Sequence, residues 1–500
     1  MVSSLHLLGV VLTVLVLLVV SMLSGRGIKD ESGFTTGGKA GSWMVCGAFM
    51  TTLAGGQSTV GTAQMAFSFG LSAWWFTLGA ALGGAVLAIF YAGPLRRSGC
   101  TTLLELVRRE YGRKVETVGS LLFLIGIFIS IVSQVLTSSA MIGSLFSMSV
   151  LSSLIVGALL IMLFVLFGGI RSAGAGGIVK LVLLFFGCLA TGIIVWRMAG
   201  GADAIMQSLN HVFHSPTLAD LNGITDAECI HRRYGNMLAR GAMKDLGGCL
   251  SLVLGVVSTQ TYAQCIWSGA TTQKARRGAL YCAFSIPMIG AACTLVGIYM
   301  RGHYITSDEL AALQQAGETL PAGIGVIEHS AQAFPAFILH HLSPWFGGIM
   351  LGALLINILG CGSGLMLGAS TIVVRDLVNN VQRKLHTDQP RLSLLLQTRI
   401  TIVVLLIVAV IVASTFRGAF INDLGFLSLG LRAVVIVFPL SFALWQPGRF
   451  SPVWVLWSMP VGTAAMLLAN ALSLPGDAVY YGLAVSLVMI LLGRKHRDER

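Results

Sequence analysis

The run Leu53-Ala54-Gly55-Gly56-Gln57-Ser58-Thr59-Val60-Gly61 sets three glycines and three polar side chains inside a stretch otherwise apolar enough to cross a membrane. Backbone that leaves a helix at that depth finds no water, and each unsatisfied amide or carbonyl costs several kcal/mol. Such backbone is tolerated where it lines a protein-enclosed cavity, and freed helix ends there bind solutes and ions. The competing reading is a packing face, because small residues let membrane helices approach closely. A second run of the same character, Gly255-Val256-Val257-Ser258-Thr259-Gln260-Thr261-Tyr262-Ala263-Gln264, lies in a later apolar stretch. Two such runs at matching places weigh against packing alone.

The polar side chains in these runs are candidates for solute binding. The first break offers Gly55, Gly56, Gln57 and Ser58, and the second offers Thr259, Gln260 and Tyr262. Gln134 adds an amide within Ser133-Gln134-Val135-Leu136-Thr137-Ser138-Ser139. A lone polar residue of this kind is ordinarily a helix–helix hydrogen bond of about 0.6–2 kcal/mol. Convergence on two breaks favours a site.

Two charges fall inside apolar stretches. Lys180 is within reach of a boundary and is expected to snorkel. Arg432 is deeper, and an intramembrane arginine is a functional candidate by default. It either holds a solute carboxylate or locks the fold by pairing with Asp423 or helix carbonyls. In a cavity it would favour an organic anion or amino acid over a sugar. A half-helix N-terminus near Gln57 would favour a carboxylate too. No aspartate or glutamate stands at mid-membrane, which argues against a carboxylate proton carrier.

The elements that position these residues follow from composition. The chain is 55% hydrophobic and 10% charged, against roughly 25% charged in soluble domains. It reads as an all-α polytopic membrane protein of about thirteen spans. A leader is expected at about 4–23, uncleaved and followed by an inner loop to 42. Ten core spans follow at about 43–66, 69–93, 116–143, 148–167, 174–198, 246–266, 279–300, 346–373, 397–415 and 421–445. Two accessory spans and a cytoplasmic tail fill 446–500. Ten core spans divide into five and five, at 43–198 and 246–445. An odd number per half inverts the second relative to the first, so the two breaks fall in the first helix of each repeat. Outer segments at 199–245 and 301–345 are expected to hold short surface helices, and the inner segment 99–114 is amphipathic.

The net charge of +12 does not point to a nucleic acid. Its lysines and arginines concentrate in alternate short loops, such as Arg96-Arg97, Arg108-Arg109, Lys274 to Arg277, Arg383-Lys384 and Arg494-Lys495. That asymmetry places those loops inside, the N-terminus outside and the C-terminus in the cytoplasm, in a plasma membrane of bacterial inner-membrane type. Nine cysteines form no CxxC pair, no HExxH is present, and no Walker motif supports ATP drive.

Several stretches then resemble the sodium:solute symporter family, whose fold is the LeuT-type inverted repeat. Gly33-Phe34-Thr35-Thr36-Gly37-Gly38-Lys39 is similar to the segment before its first core helix. Gly70 to Trp75, Pro94 to Gly99 and Thr102 to Glu105 are similar to its second helix and the loop after it. Gly168 to Ala173, Gln260 to Gln264 with Lys274 to Gly278, and Ala369-Ser370-Thr371 with Arg375-Asp376 match later signatures in order. The resemblance implies a sodium site joining the carbonyls of Thr51 and Ala54 to core helix 8. There the family's hydroxyl pair falls on Asn357, Gly360 and Cys361, with Ser363 as a substitute. Glycine has no side-chain oxygen and cysteine a poor one, so proton-coupled or uncoupled modes stay open.

The function expected is secondary active import of a small polar organic solute by alternating access, with sodium as the coupling ion. No other cofactor, no nucleic acid and no obligate protein partner is expected, and the lipid bilayer is the surrounding medium. A membrane-embedded enzyme would need a cluster of carboxylate, histidine or cysteine at one depth, which the spans lack. A sensor on the same fold would be expected to carry a signalling domain after the last span.

Overall fold

The computed structural model describes residues 3–25, 40–100, 102–168, 175–374, 394–416 and 419–495. The Gly33–Lys39 segment, residues 169–174 and Arg375-Asp376 lie outside them. Helix α1 spans Ser4–Gly25, α2 Ser42–Leu53, α3 Thr62–Phe69, α4 Trp75–Val86, α5 Arg113–Phe146, α6 Val150–Gly168 and α7 Ala175–Ala199. Helix α8 spans Ala242–Val257, α9 Gln260–Ser268, α10 Thr272–His303, α11 Pro344–Ile372, α12 Leu394–Thr415, α13 Ile421–Trp445, α14 Pro452–Ala471 and α15 Ala478–Leu492. A helix occupies every expected stretch. Among the described residues eight helices are long and apolar enough to cross a membrane, or nine if the bent pair α8–α9 is one span.

The packing is that of an inverted repeat. Helix α4 of the first set runs along α8 of the second, and α10 of the second runs along α2 and α3 of the first. Helix α5 packs against α13 and α11 at the centre. Helix α1 lies outside this core against α11, while α14 and α15 pair and lean on α13. The face carrying Arg96, Arg113, Lys274 and Arg276 is called the basic face below.

The amphipathic segment folds as a helix at Leu103–Tyr111, started by Thr102, whose side chain accepts from the Glu105 amide at 3.0 Å. Its Leu103, Leu106, Val107 and Tyr111 are buried, and it packs on α5 and α13. The apolar stripe is spent on protein contacts.

On the opposite face, short helices at Ala202–Val212, Pro216–Leu221, Ala227–Tyr234 and Ser307–Gln315 cover the helix ends. Two short strands, β1 (Tyr304–Thr306) and β2 (Gly325–Ile327), pair in parallel, with Tyr304 opposite Gly325. Arg301 at the end of α10 is 1% exposed. It lies between the rings of Phe67 and Phe213. Its guanidinium donates both terminal nitrogens to Glu309, at 2.8 and 2.7 Å. Burial alone would raise the Glu309 carboxyl, but the Arg301 charge and the hydrogen bonds from Arg301, Thr306 and Asn222 hold it below its ordinary value.

Candidate functional site

Helix α2 stops because its next residues cannot continue it. Ala54 donates back to Met50 O at 2.9 Å and then turns to φ −87°, ψ 49°. Gly55 and Gly56 carry the chain into a wide turn over Gln57–Gly61, after which α3 begins. The released carbonyls are taken up by nearby donors. Thr52 O accepts from the Cys361 thiol at 3.5 Å, Leu53 O from the Ser58 hydroxyl at 2.7 Å, and Ala54 O from the Asn357 amide nitrogen. Gly55 O accepts from the Thr59 hydroxyl at 3.2 Å, and Gly56 O from the Gly61 amide at 2.9 Å. The break is therefore stable at depth because local hydroxyls and α11 replace the missing helix bonds.

Helix α5 meets the break with one polar face. Ser130, Ser133, Gln134 and Thr137 recur at i, i+3, i+4 and i+7, the spacing of a single helical side. Gln134 Oε1 accepts from the Gly56 amide at 3.4 Å, and Gln57 Nε2 donates to Ser133 Oγ at 3.0 Å. A Cβ on Gly56 would lie 2.3 Å from Thr137 Cγ2. Gly56→Ala is expected to destabilise the protein by about 1–3 kcal/mol through overpacking, with partial recovery in Gly56→Ala/Thr137→Gly. Unfolding midpoints of the purified variants measure this, and equal midpoints for wild type and Gly56→Ala would reject the contact.

The second break lies between α8 and α9, where the helix bends by 48°. Thr259 is extended at φ −99°, ψ 125° and its hydroxyl donates to Gly255 O at 2.7 Å. The same hydroxyl accepts from Arg432 Nη1 at 3.2 Å. Arg432 is 3% exposed. Its Nη2 donates to Ser130 Oγ and Ser428 Oγ, both at 2.6 Å, and its Nε to Ser428 O at 3.2 Å. The expected alternative of pairing with Asp423 is not what forms, because Asp423 is engaged by Arg240 at 2.6 Å. Among the described residues Arg432 forms no ion pair. A full positive charge thus stands against the second break, one helical turn along α5 from the Gln57–Ser133 bond.

The candidate residues do not all converge. Gln57, Gln134, Thr259 and Arg432 lie on or against the α5 face. Ser58 is turned back to Leu53 O. Gln260 is directed to the Leu103 amide, its Oε1 accepting at 2.8 Å, so it satisfies the first amide of the Leu103–Tyr111 helix instead of facing the α5 strip. Tyr262 is buried and stacks on Phe49 with ring centres 5.8 Å apart. Ser130, Ser133, Thr137 and Ser428 complete the polar strip and were not singled out from sequence. For the three on α5, recurrence on one helical side was the available signal.

Of the residues of the implied sodium site, two are brought to the break and the others are not shown against it. Asn357 and Cys361 of α11 touch the break, and a Cβ on Gly55 would lie 3.0 Å from Cys361 Sγ and 3.2 Å from Gln134 Nε2. Their chemistry is unexpected. Asn357 presents its donor to Ala54 O, Cys361 donates to Thr52 O, and the Ser363 hydroxyl turns to Gly360 O at 2.8 Å. Thr51 lies at the end of α2, its hydroxyl on Gly47 O at 2.8 Å. Lys180 does not snorkel. It is 3% exposed, and its Nζ would be 3.2 Å from a Cβ on Gly360.

Two discontinuous helices, one from each half, packed on a polar helix at the centre of an inverted repeat, define the fold of a secondary transporter. The chain belongs to the sodium:solute symporter family, whose profile matches residues 34–462. It is 24% identical over 377 residues to high-affinity choline transporter 1 of Torpedo marmorata, across 73% of this chain, and spans 59% of that relative's length. Its fold is similar to that of a Na+-coupled sialic acid symporter solved in a substrate-bound outward-open state. That likeness has a TM-score of 0.69 and 15% identity, covering 99% of this chain and 97% of the other. A nucleobase-cation-symport-1 family transporter in a closed conformation with bromovinylhydantoin bound is similar at TM-score 0.51 and 13% identity, covering 92% and 94%.

Proposed function

We propose that this chain is a secondary active transporter that imports a small polar organic solute by alternating access, with sodium, which the family implies, as the coupling ion. The observation that carries this reading is the pair of breaks facing one polar strip of α5, with the buried Arg432 guanidinium against the second. A solute bearing a carboxylate suits that charge.

The two ends of the site are held by separate contacts. On the basic face Arg96 donates to the carbonyls of Ile266, Trp267 and Gly269 at 2.6–3.2 Å. The Ala40 and Ala270 amides tie the start of α2 to the end of α9 at 3.1 and 2.9 Å. These bonds join the two basic-face half-helices to each other. On the opposite face Gln64 accepts from the Ile421 amide at 2.9 Å and donates to Ala419 O at 3.4 Å. A cavity of about 40 Å³ lined by Gln64, Ser139 and Ile421 lies on that side. Alternating access requires these two latches to open in turn. We read 43–198 and 246–445 as the two repeats, the basic face as cytoplasmic and the membrane as a bacterial-type plasma membrane.

A proton-coupled or uncoupled mode is the second reading, favoured by the donors that α11 turns toward the first break. Counterflow in proteoliposomes with a panel of radiolabelled amino acids, organic acids, amines and sugars tests both. Sodium-stimulated counterflow of one solute class is expected. Counterflow equal in sodium and in N-methylglucamine selects the second reading, and none for any solute rejects transport.

A further inference from the structure

The junction between the first break and α11 is where the family resemblance seats sodium, yet its residues do not fit that ion. A hard cation is held by oxygens with lone pairs turned toward it. Here α11 turns an amide N–H and a thiol S–H to the carbonyls of Ala54 and Thr52, leaves Gly360 without a side chain, and directs the Ser363 hydroxyl back to its own helix. Donors converge where an ion would need acceptors.

A cation is nonetheless present. Lys180 comes from α7, three residues beyond Gly177. A Cβ on Gly177 would lie 3.0 Å from both Gly47 O and Thr51 Oγ1, so α7 touches α2 just before the break. The side chain then extends to α11, its Nζ 3.2 Å from the position of a Gly360 Cβ and 5.8 Å from the Phe164 ring centre. Among the described residues this Nζ has no hydrogen-bond partner. The missing side chain at Gly360 and the buried ammonium are complementary. One vacates the space that the other approaches. The C-terminal end of α2 directs its negative dipole end into this region, where a bound ion would otherwise balance it.

We propose that the Lys180 ammonium is the resident cation of the α2–α11 junction and stands there in place of a sodium ion. Any sodium dependence of transport then arises elsewhere in the chain. The inference builds on the transporter reading, but its test needs no solute and can fail independently of it.

The test compares purified wild type, Gly360→Ser, Lys180→Met and the double variant. Unfolding temperatures are read in sodium chloride and in N-methylglucamine chloride, and binding of radioactive sodium is measured directly. Gly360→Ser is expected to lower the unfolding temperature in the wild-type background and to have little effect beside Lys180→Met. Placing two like charges together costs several kcal/mol, so the double variant, relieved of the ammonium and given a hydroxyl, is expected to bind sodium about tenfold or more tightly than wild type. Equal losses from Gly360→Ser in both backgrounds, or sodium binding by the double variant no tighter than wild type, overturns the proposal. Should the Lys180 variants not fold, Cys361 alkylation in wild type decides, followed by mass spectrometry of its peptide. Equal rates in the two salts support the resident ammonium, and protection of Cys361 by sodium overturns it.

Discussion

Replacing Arg432 by methionine is expected to lower the apparent affinity for a carboxylate-bearing solute by about 10- to 150-fold, the equivalent of one charge-assisted hydrogen bond of about 1.5–3 kcal/mol. A guanidinium has five N–H donors in a fixed fork. In Arg432 four are engaged, by Ser428 O, Thr259 Oγ1, Ser130 Oγ and Ser428 Oγ. None of these acceptors carries charge, so the cation is solvated but not neutralised. One Nη1–H and the full positive charge remain for a ligand at the second break. Lysine offers a point charge without the fork, so Arg432→Lys is expected to recover only part of the loss. Proteoliposome uptake separates this role from a structural one. Loss of affinity confined to carboxylate-bearing solutes, with the unfolding temperature of solute-free protein near wild type, supports ligand binding. An equal loss for charged and neutral solutes together with a lower unfolding temperature would make Arg432 a lock between α5, α13 and the second break.

The second large effect is on stability. Glu309→Gln is expected to destabilise the fold by about 3–5 kcal/mol, because it leaves the Arg301 charge buried without a counter-charge. Arg301 is enclosed by Phe67 of α3, Phe213 and Glu309 of the Ser307–Gln315 helix, and it is 1% exposed. The double variant Arg301→Met/Glu309→Gln is expected to recover much of the loss, since replacing a buried pair by apolar groups is often neutral. The pair also sets a pH dependence. Folding lowers the Glu309 carboxyl despite its burial, so its contribution is fully present above the ordinary carboxylate range. It is lost as pH falls through the lowered folded-state value. Unfolding midpoints measured from neutral to acidic pH should show this loss in wild type and little of it in Glu309→Gln. Coincident acid limbs in the two proteins would reject the assignment.

Both breaks were legible from residue type. Gly55-Gly56 and Ser258-Thr259 put helix-weakening and polar residues where lipid penalises free backbone, and the chain departs from helix at both places. The order of the helices followed from apolar length, and the even division of the core into two sets followed from their number. What a polar side chain faces was far less legible. Gln260 and Thr259 are neighbours, yet one accepts from the Leu103 amide on the basic face and the other accepts from Arg432, because the chain is extended at Thr259 and turns helical only at Gln260. The serines of α5 looked unremarkable since hydroxyls in membrane helices commonly bond back to their own carbonyls. Ser133 instead bridges Gln57 and Ile421 O.

Lys180 shows the same limit more sharply. Its distance along the chain from a boundary allowed snorkelling, but α7 is rotated so that the side chain runs into the protein toward Gly360.

Composition and charge distribution determined by themselves that this chain is a helical membrane protein, where its helices run and which two are broken. Those outcomes follow from transfer of side chains and backbone between water and lipid, a local property of each segment. Tertiary packing alone decided that Asn357 is a donor, that Lys180 is enclosed beside Gly360 and that Arg432 is left without a counter-charge. Those outcomes depend on the rotation of one helix against another, which is set by side-chain fit across segments hundreds of residues apart.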